Sequence, residues 1–356
     1  MSTRPEKPTL QTIADELGVS RATVSNAYNR PDQLSTALRE RVLDVADRLG
    51  YSGPDAAARM LRTGHMGAIG LVFTEELGFV FSDPDTSAFM QGVAETSALS
   101  STGLMLLPVP GAVEAGVGAL RTVAVDGYVV FSVADAHPAL DVVGGGDTPY
   151  VIVDEPDLGE GFAFVGINDR LGARLAADHL MHLGHRRVGI LLGRVGLDGV
   201  AGRIDLEAAL DSRLRVVRER MGGYLAGIRE AEADEPIVWV SGAMDPDAGR
   251  RGATAMFEAH PEITAVLCFS DELAIGAAQA ADRVNRRVPD DLSIVGFDDA
   301  PRARSWEPTL TTVRQPLVDK GRVAAELLLE QIAGGEPRRV ELPIDLIVRD
   351  STCSAR

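Results

Sequence analysis

Arg21, Ala22, Thr23, Ser25, Asn26 and Asn29, in the run R-A-T-V-S-N-A-Y-N, carry the chemistry that is easiest to name in this chain. On a helix they fall on or near one outer face, while Val24 and Ala27 turn inward. Short polar side chains of this kind let a helix enter a major groove, where a carboxamide such as that of Asn26 pairs bidentately with adenine. Two partners are open to Arg21, a guanine edge or a phosphate. This is the chemistry of recognition, not of bond making.

A second set of candidates stands at the ends of apolar runs. In open α/β sheets ligands sit beyond the carboxyl ends of the strands. Asp298 follows S-I-V-G-F directly, where a carboxylate can accept from ligand hydroxyls or ring N–H groups. Ser270 follows A-V-L-C-F, with Asp271 reading as a helix cap. Phe81 and Ser82, in F-S-D-P, are expected to face the same cleft. Asp83 is either a ligand contact or the cap of a helix opened by Pro84, and the cap fits it better. Trp306 is either an aromatic platform or ordinary packing.

Other residues invite chemistry that their spacing denies. His179, His182 and His185 look superficially like a metal cluster, but residues three apart share a helix face only partly, and Gly184 ends the helix before His185. No metal is expected there, only a helix-to-strand joint. Gly144 to Gly146 lack the G-K-[ST] of a phosphate loop, and no G-x-S-x-G elbow occurs. No catalytic set is found, and neither enzyme activity nor a cofactor is expected.

The elements that must position these residues follow from apolar spacing. Leu10, Ile13, Ala14 and Leu17 form one stripe, Gly18 supplies a turn, and Ser20 is placed to cap a helix from Arg21 to about Tyr28. The result reads as a helix-turn-helix. Ser35 can cap a third helix bearing Leu38, Val42, Val45, Ala46 and Leu49, with Arg39 and Arg41 turned toward phosphate. Between residues 50 and 64, Pro54 can open and Gly64 close a helix too short to stand alone. Leu61 near its end is the kind of exposed side chain that wedges between base steps from the minor groove. From Gly67 onward, short β-branched runs alternate with helical segments, the rhythm of a parallel α/β sheet. The expected strands are Ala68–Phe73, Leu104–Leu107, Gly127–Phe131, Tyr150–Val153, Val188–Leu192, Ile237–Val240, Ala265–Phe269 and Ser293–Phe297.

At this point the chain resembles the lactose-repressor family of bacterial transcription factors over nearly its whole length. The carrying motifs are T-L-Q-T-I-A-D-E-L-G-V-S-R-A-T-V-S-N, G-Y followed by Pro54 and Leu61, V-D-G-Y-V-V, H-L-M-H-L-G-H-R-R-V-G-I, F-S-D-E-L-A-I-G-A, and V-P-D-D-L-S-I-V-G-F-D-D with P-T-L-T-T-V-R-Q-P after it. The resemblance implies an all-α helix-turn-helix domain (1–53), a hinge helix and linker (54–66), and a two-lobed periplasmic-binding-protein-like body with parallel sheets (67–356). The first lobe would take about 67–166 plus a late helix, 316–334, and the second about 167–311 plus the last strands. It further implies a homodimer, or a tetramer of such chains, whose hinge leucines, here Leu61, enter the centre of a pseudo-palindromic double-stranded operator. A small-molecule effector, a carbohydrate or similar metabolite, would lie between the lobes against Asp298 and its companion Arg220. Departures from the family pattern are the extra Gly53 before the proline, Met244 where relatives present an aromatic platform, and a longer stretch at 194–216.

Charge and composition agree with this organisation. Residues 1–64 hold nine Lys/Arg against eight Asp/Glu, a net of one positive, so the −17 of the whole chain leaves −18 on the remainder. An acidic body is repelled by phosphate, which confines nucleic-acid binding to the N-terminal unit. The start M-S-T-R-P-E-K-P lacks the apolar core of an export signal, no run is apolar enough for a membrane, and a cytoplasmic, nucleoid-associated location is expected. Cys268 and Cys353 make no disulfide framework. Three alternatives stay open: an exported binding protein, an enzyme on the same sheet architecture, and a family member controlled by a protein co-regulator.

Overall fold

The computed structural model describes residues 8–51, 53, 64–96, 102–111, 114–196 and 200–356. It divides into two compact units with the break between Met66 and Gly67. Pro54 and Leu61, with the expected hinge helix, lie outside the described residues.

Among the described residues the first unit has three α-helices, each begun by a side chain that satisfies an otherwise orphaned N–H. In α1 (Leu10–Leu17) Thr9 accepts from the Thr12 N–H at 3.3 Å, and Gly18, at φ +66°, closes the helix in the left-handed conformation. Ser20 caps α2 (Arg21–Asn29) by accepting from the Thr23 N–H at 3.0 Å. Ser35 does the same for α3 (Thr36–Leu49), bonding the Leu38 N–H at 3.3 Å. Ile13, Ala14, Val24, Ala27, Val42 and Ala46 are buried together. Small residues at three of these six positions let the helices approach closely around a core of little volume.

The second unit holds two sheets. The first contains β1 (Ala68–Phe73), β2 (Gly103–Pro108), β3 (Gly127–Phe131), β4 (Tyr150–Val153), β5 (Ala163–Ile167) and, from far along the chain, β12 (Arg339–Leu342). Their order is β12-β5-β4-β3-β1-β2, parallel throughout. The second contains β6 (Val188–Leu192), β7 (Gly202–Arg203), β8 (Ile237–Val240), β9 (Ala265–Cys268), β10 (Ser293–Asp298), β11 (Thr311–Arg314) and β13 (Asp345–Ile347). These run in the order β13-β11-β10-β9-β6-β8-β7, with β13 and β7 as antiparallel edges. Central strands such as β6 and β9 are buried at every position, because helices cover both faces of a parallel sheet.

Close helix packing supports each lobe. The helix Leu317–Ile332 returns to the first lobe and lies on Pro84–Glu95, where a Cβ on Gly92 would stand 1.8 Å from the Val318 carbonyl oxygen. Only glycine fits that crossing. In the second lobe Gly223 meets the Arg170 carbonyl oxygen in the same way, at 2.2 Å from a notional Cβ.

Two expectations need correction. The last strands do not both join the second lobe: β12 pairs with β5 in the first sheet, and only β13 pairs with β11 in the second. The chain therefore passes between lobes three times, at 167–169, 314–317 and 342–345. The expected strand list also omitted β5, β7, β11, β12 and β13. Of these, β12 has an alternating, half-exposed pattern and β7 is a two-residue edge, so neither carries a strong apolar run.

Candidate functional site

The α2 face is built by capping and burial. With Val24 and Ala27 in the core, Arg21 and Ala22 are exposed, and Thr23, Ser25 and Asn26 are half-buried. Ser20 serves as the cap while its hydroxyl lies 2.8 Å from that of Thr23. Asn26 donates from Nδ2 to Gln33 Oε1 at 3.3 Å, a long contact that a better acceptor would replace. The helix includes Asn29, whose side chain is outside the described residues. Arg39 and Arg41, on α3, are exposed. This unit presents a guanidinium, hydroxyls and a carboxamide on one short helix.

In the second unit a cavity of about 200 Å³ opens between the lobes. From the first lobe Phe79, Val80, Asp83, Asp85, Asp154 and Glu155 reach it; from the second come Arg220, Met244, Phe269, Ser270 and Asp298, with Gln315 at the crossing. Half of these end a strand or follow one directly, where ligands of an open sheet sit.

Asp298 ends β10 at φ +113°, and Asp154, after β4, sits at φ +64°. Both are in the region that side chains other than glycine avoid, so the surrounding bonds must hold them there. Gln315 spans the pair: its Nε2 donates to Asp298 Oδ1 at 2.5 Å, while its Oε1 accepts from Lys320 Nζ at 2.5 Å. Lys320, only 1% exposed, also donates to both Asp154 oxygens, at 2.7 and 2.9 Å. A buried ammonium is thus answered by a carboxylate and an amide, as burial of a charge demands.

Arg220 is likewise answered. Its Nε donates to Asp169 Oδ1 at 2.9 Å and its Nη1 to the Phe269 carbonyl at 2.7 Å, with the guanidinium 3.5 Å from the Phe297 ring centroid and 4.5 Å from that of Phe269. Burial raises the Asp298 and Asp169 carboxyls, against the opposing pull of the Arg220 charge. Glu155 reaches from the first lobe to the Val216 N–H of the second-lobe helix Arg215–Glu230 at 3.0 Å, and accepts from the Ser132 hydroxyl at 3.1 Å. Burial pushes it up to about 7 even though both hydrogen bonds favour its charged form. Among the described residues three further ion pairs span the lobes, Glu75 to Arg194 and Asp135 to Arg218, each at 2.7 Å, and Asp157 to Arg215 at 4.0 Å.

The cavity brings together Arg220, Asp298, Ser270 and Asp83 from the residues expected there, and leaves out three. Phe81 is 65% exposed and Ser82 donates to the Gly78 and Phe79 carbonyls, because residues Leu77–Ser82 form a helix that turns Phe79 and Val80 inward instead. Trp306 packs against the core beneath the helices Pro246–Ala259 and Asp271–Arg283 and does not line the cavity. Asp83 combines both roles open to it, capping through the Thr86 N–H at 2.8 Å and facing the cavity. For Asp271 the cap reading fails. Ser270 caps that helix, and Asp271 instead accepts from the Thr312 hydroxyl at 2.6 Å and the Ala300 N–H at 2.8 Å. Asp85, Asp154, Glu155 and Gln315 were missed, although D-E-P after Y-V-I-V satisfies the strand-end rule that found Asp298.

The three histidines serve the joint between helix and strand. His179 Nε2 lies 2.9 Å from the Thr352 hydroxyl, His182 Nδ1 2.7 Å from the Asp178 carbonyl, and His185 lies 2.9 Å from the Thr264 hydroxyl and 3.0 Å from both the Ser293 hydroxyl and the Cys353 carbonyl. No helix among the described residues is long and apolar enough to cross a membrane.

Known proteins match both units. Residues 9–53 fit the model for bacterial regulatory proteins of the lacI family, and residues 177–352 that of a periplasmic binding protein-like domain. A Mycobacterium tuberculosis protein named HTH-type transcriptional regulator Rv3575c is 41% identical over 352 residues, covering 98% of each chain. Among solved structures, a complex of the transcriptional regulator CelR with cellobiose matches at 30% identity and a TM-score of 0.68, over 97% of this chain and 99% of that one. The lac repressor dimer bound to operator and an anti-inducer has the same fold, with a TM-score of 0.78 at 24% identity over 98% of this chain and 100% of that one. With a helix-turn-helix at its start and a two-lobed, parallel-sheet body behind it, the chain belongs to the lacI family of bacterial transcriptional regulators.

Proposed function

We propose that the protein is an allosteric repressor that grips a pseudo-palindromic operator as a homodimer and changes its grip when a small polyhydroxylated molecule fills the inter-lobe cavity. In this reading Ser20, Arg21, Ala22, Thr23, Ser25, Asn26 and Asn29 face the major groove, and Leu61 enters the minor groove at the operator centre. Work on DNA puts the protein in the cytoplasm, at the nucleoid. The observation that carries the effector reading is a cavity whose polar groups come from opposite lobes, Asp83 and Asp85 on one side and Arg220 and Asp298 on the other. A ligand touching both sides favours one lobe arrangement, and only such a difference between states can move a distant equilibrium. The complex of CelR with cellobiose supports a carbohydrate as the ligand class.

The test is selection of a preferred duplex from a randomised pool, then measurement of its affinity with and without candidate carbohydrates. A palindromic consensus whose affinity shifts with one compound, and not in Asp298→Ala, is the expected result. Absence of any preferred duplex, with every compound tried, defeats the reading.

A further inference from the structure

Most charges that line the cavity already have partners. Arg194 pairs with Glu75, Arg220 with Asp169, and Lys320 with Asp154. Asp83 is held by the Thr86 N–H and hydroxyl. Asp85 differs: its Oδ1 is buried, and no N–H or O–H among the described residues is directed at it. Its carboxyl instead meets that of Asp298, from the opposite lobe. Burial holds Asp85 well above the usual carboxylate range, and the Asp298 charge adds to the shift. A buried acceptor with no donor is a group that a ligand can complete.

The surroundings limit what that ligand is. Asp83, Asp85 and Asp298 converge on one part of the cavity, and the lining cations Arg194 and Arg220 are already paired, so an incoming phosphate or carboxylate would meet carboxyl oxygens and no free cation among the described lining residues. Hydroxyl groups bring donors without charge. Phe79, Phe131 and Phe269 supply flat apolar surface of the kind that covers the C–H face of a sugar ring. A cavity of about 200 Å³ is smaller than the roughly 300–1,000 Å³ of sites for drug-sized ligands, and has room for one ring.

We propose that Asp85 selects the effector, a single-ring polyhydroxylated molecule without phosphate or carboxylate, one hydroxyl of which donates to Asp85 and separates it from Asp298. This rests on the effector reading of the cavity and narrows it. The same three features separate the candidates: the open acceptor calls for a donor, the acidic cluster turns away anions, and the volume excludes a second ring.

The experiment is calorimetric titration of the full chain with glucose, galactose, mannose and ribose, with the phosphate monoester of each sugar, and with cellobiose. One uncharged single-unit compound is expected to bind, its phosphate ester at least about 100-fold more weakly. Asp85→Ala should weaken the uncharged ligand about 10-fold or more. Asp85→Asn, nearly the same shape, should bind the phosphate ester better than the parent does, and its far-ultraviolet spectrum and melting curve confirm folding. Binding of a phosphate ester or of cellobiose as tight as that of the uncharged ring overturns the proposal, as does an unchanged affinity in Asp85→Ala. If such a compound also shifts operator affinity, the effector reading survives and only the selectivity is lost. If no compound binds and none moves operator affinity, both fall.

Discussion

Arg220 and Asp169 form an ion pair at 2.9 Å in which both side chains are almost fully withdrawn from water, at 6% and 1% exposure. The pair ties the helix Arg215–Glu230 to the first turn of Asp169–His182, and leaves the guanidinium between two phenylalanine rings at the cavity wall. Removing the cation strands a buried carboxylate. Arg220→Ala is therefore expected to cost about 3–5 kcal/mol of stability, measured by urea unfolding. A loss below about 1 kcal/mol would show that Asp169 finds another partner or a proton at little cost.

Glu155 supplies the pH dependence that is easiest to isolate. Its folded value of about 7 lies above the ordinary 4.5, so the folded state keeps a proton that the unfolded chain has released. Stability from this group is complete below about 4.5 and declines as pH rises to 7, since the unfolded state then binds fewer protons. Unfolding free energies between these limits should fall with pH more steeply in the parent than in Glu155→Gln, which cannot ionise. Parallel profiles would remove Glu155 from the balance. Asp85 and Asp271, also raised by burial, act in the same direction and remain in both proteins.

On the DNA side, Asn26 must leave Gln33 before it can pair with a base. Asn26→Ala should lose about 1–3 kcal/mol of discrimination against the wrong base pair while affinity for random duplex is retained. Gln33→Ala, which only frees the carboxamide, should keep the discrimination. Gel-shift titrations against operator and mismatched duplexes decide this, and equal losses on both would indicate that Asn26 supports the helix instead of reading sequence.

Trp306 offers a converse case. Its Nε1 is buried without a hydrogen-bond partner among the described residues, and its ring lies outside the cavity. Trp306→Phe removes an unsatisfied donor and some packing volume, two effects of opposite sign and similar size. Thermal melting within a few degrees of the parent, with effector affinity unchanged, is expected. A clear loss of effector affinity would restore Trp306 to the site.

The residues that could be read beforehand are those whose roles are local. Ser20, Ser35 and Gly18 act on their own helix ends, so chain order suffices to assign them. Strands β1, β3 and β4 are continuous apolar runs and were legible to the residue. Phe81 was misplaced because the loop before Asp83 is a helix, on which one residue is a rotation of about 100°. Two such steps separate Phe81 from Phe79, so Phe79 faces the cavity and Phe81 faces away from it. Gln315 and Lys320 were invisible for a different reason: their partners Asp298 and Asp154 are distant in sequence, and nothing in a helical pattern marks a lysine as buried.

The threefold passage of the chain between lobes has a practical corollary for anyone handling the protein. A protease that cuts any single connecting segment leaves the halves of the body still tethered by the other two. Digestion should accordingly trim the N-terminal unit from an intact core, and never yield either half as a separate fragment.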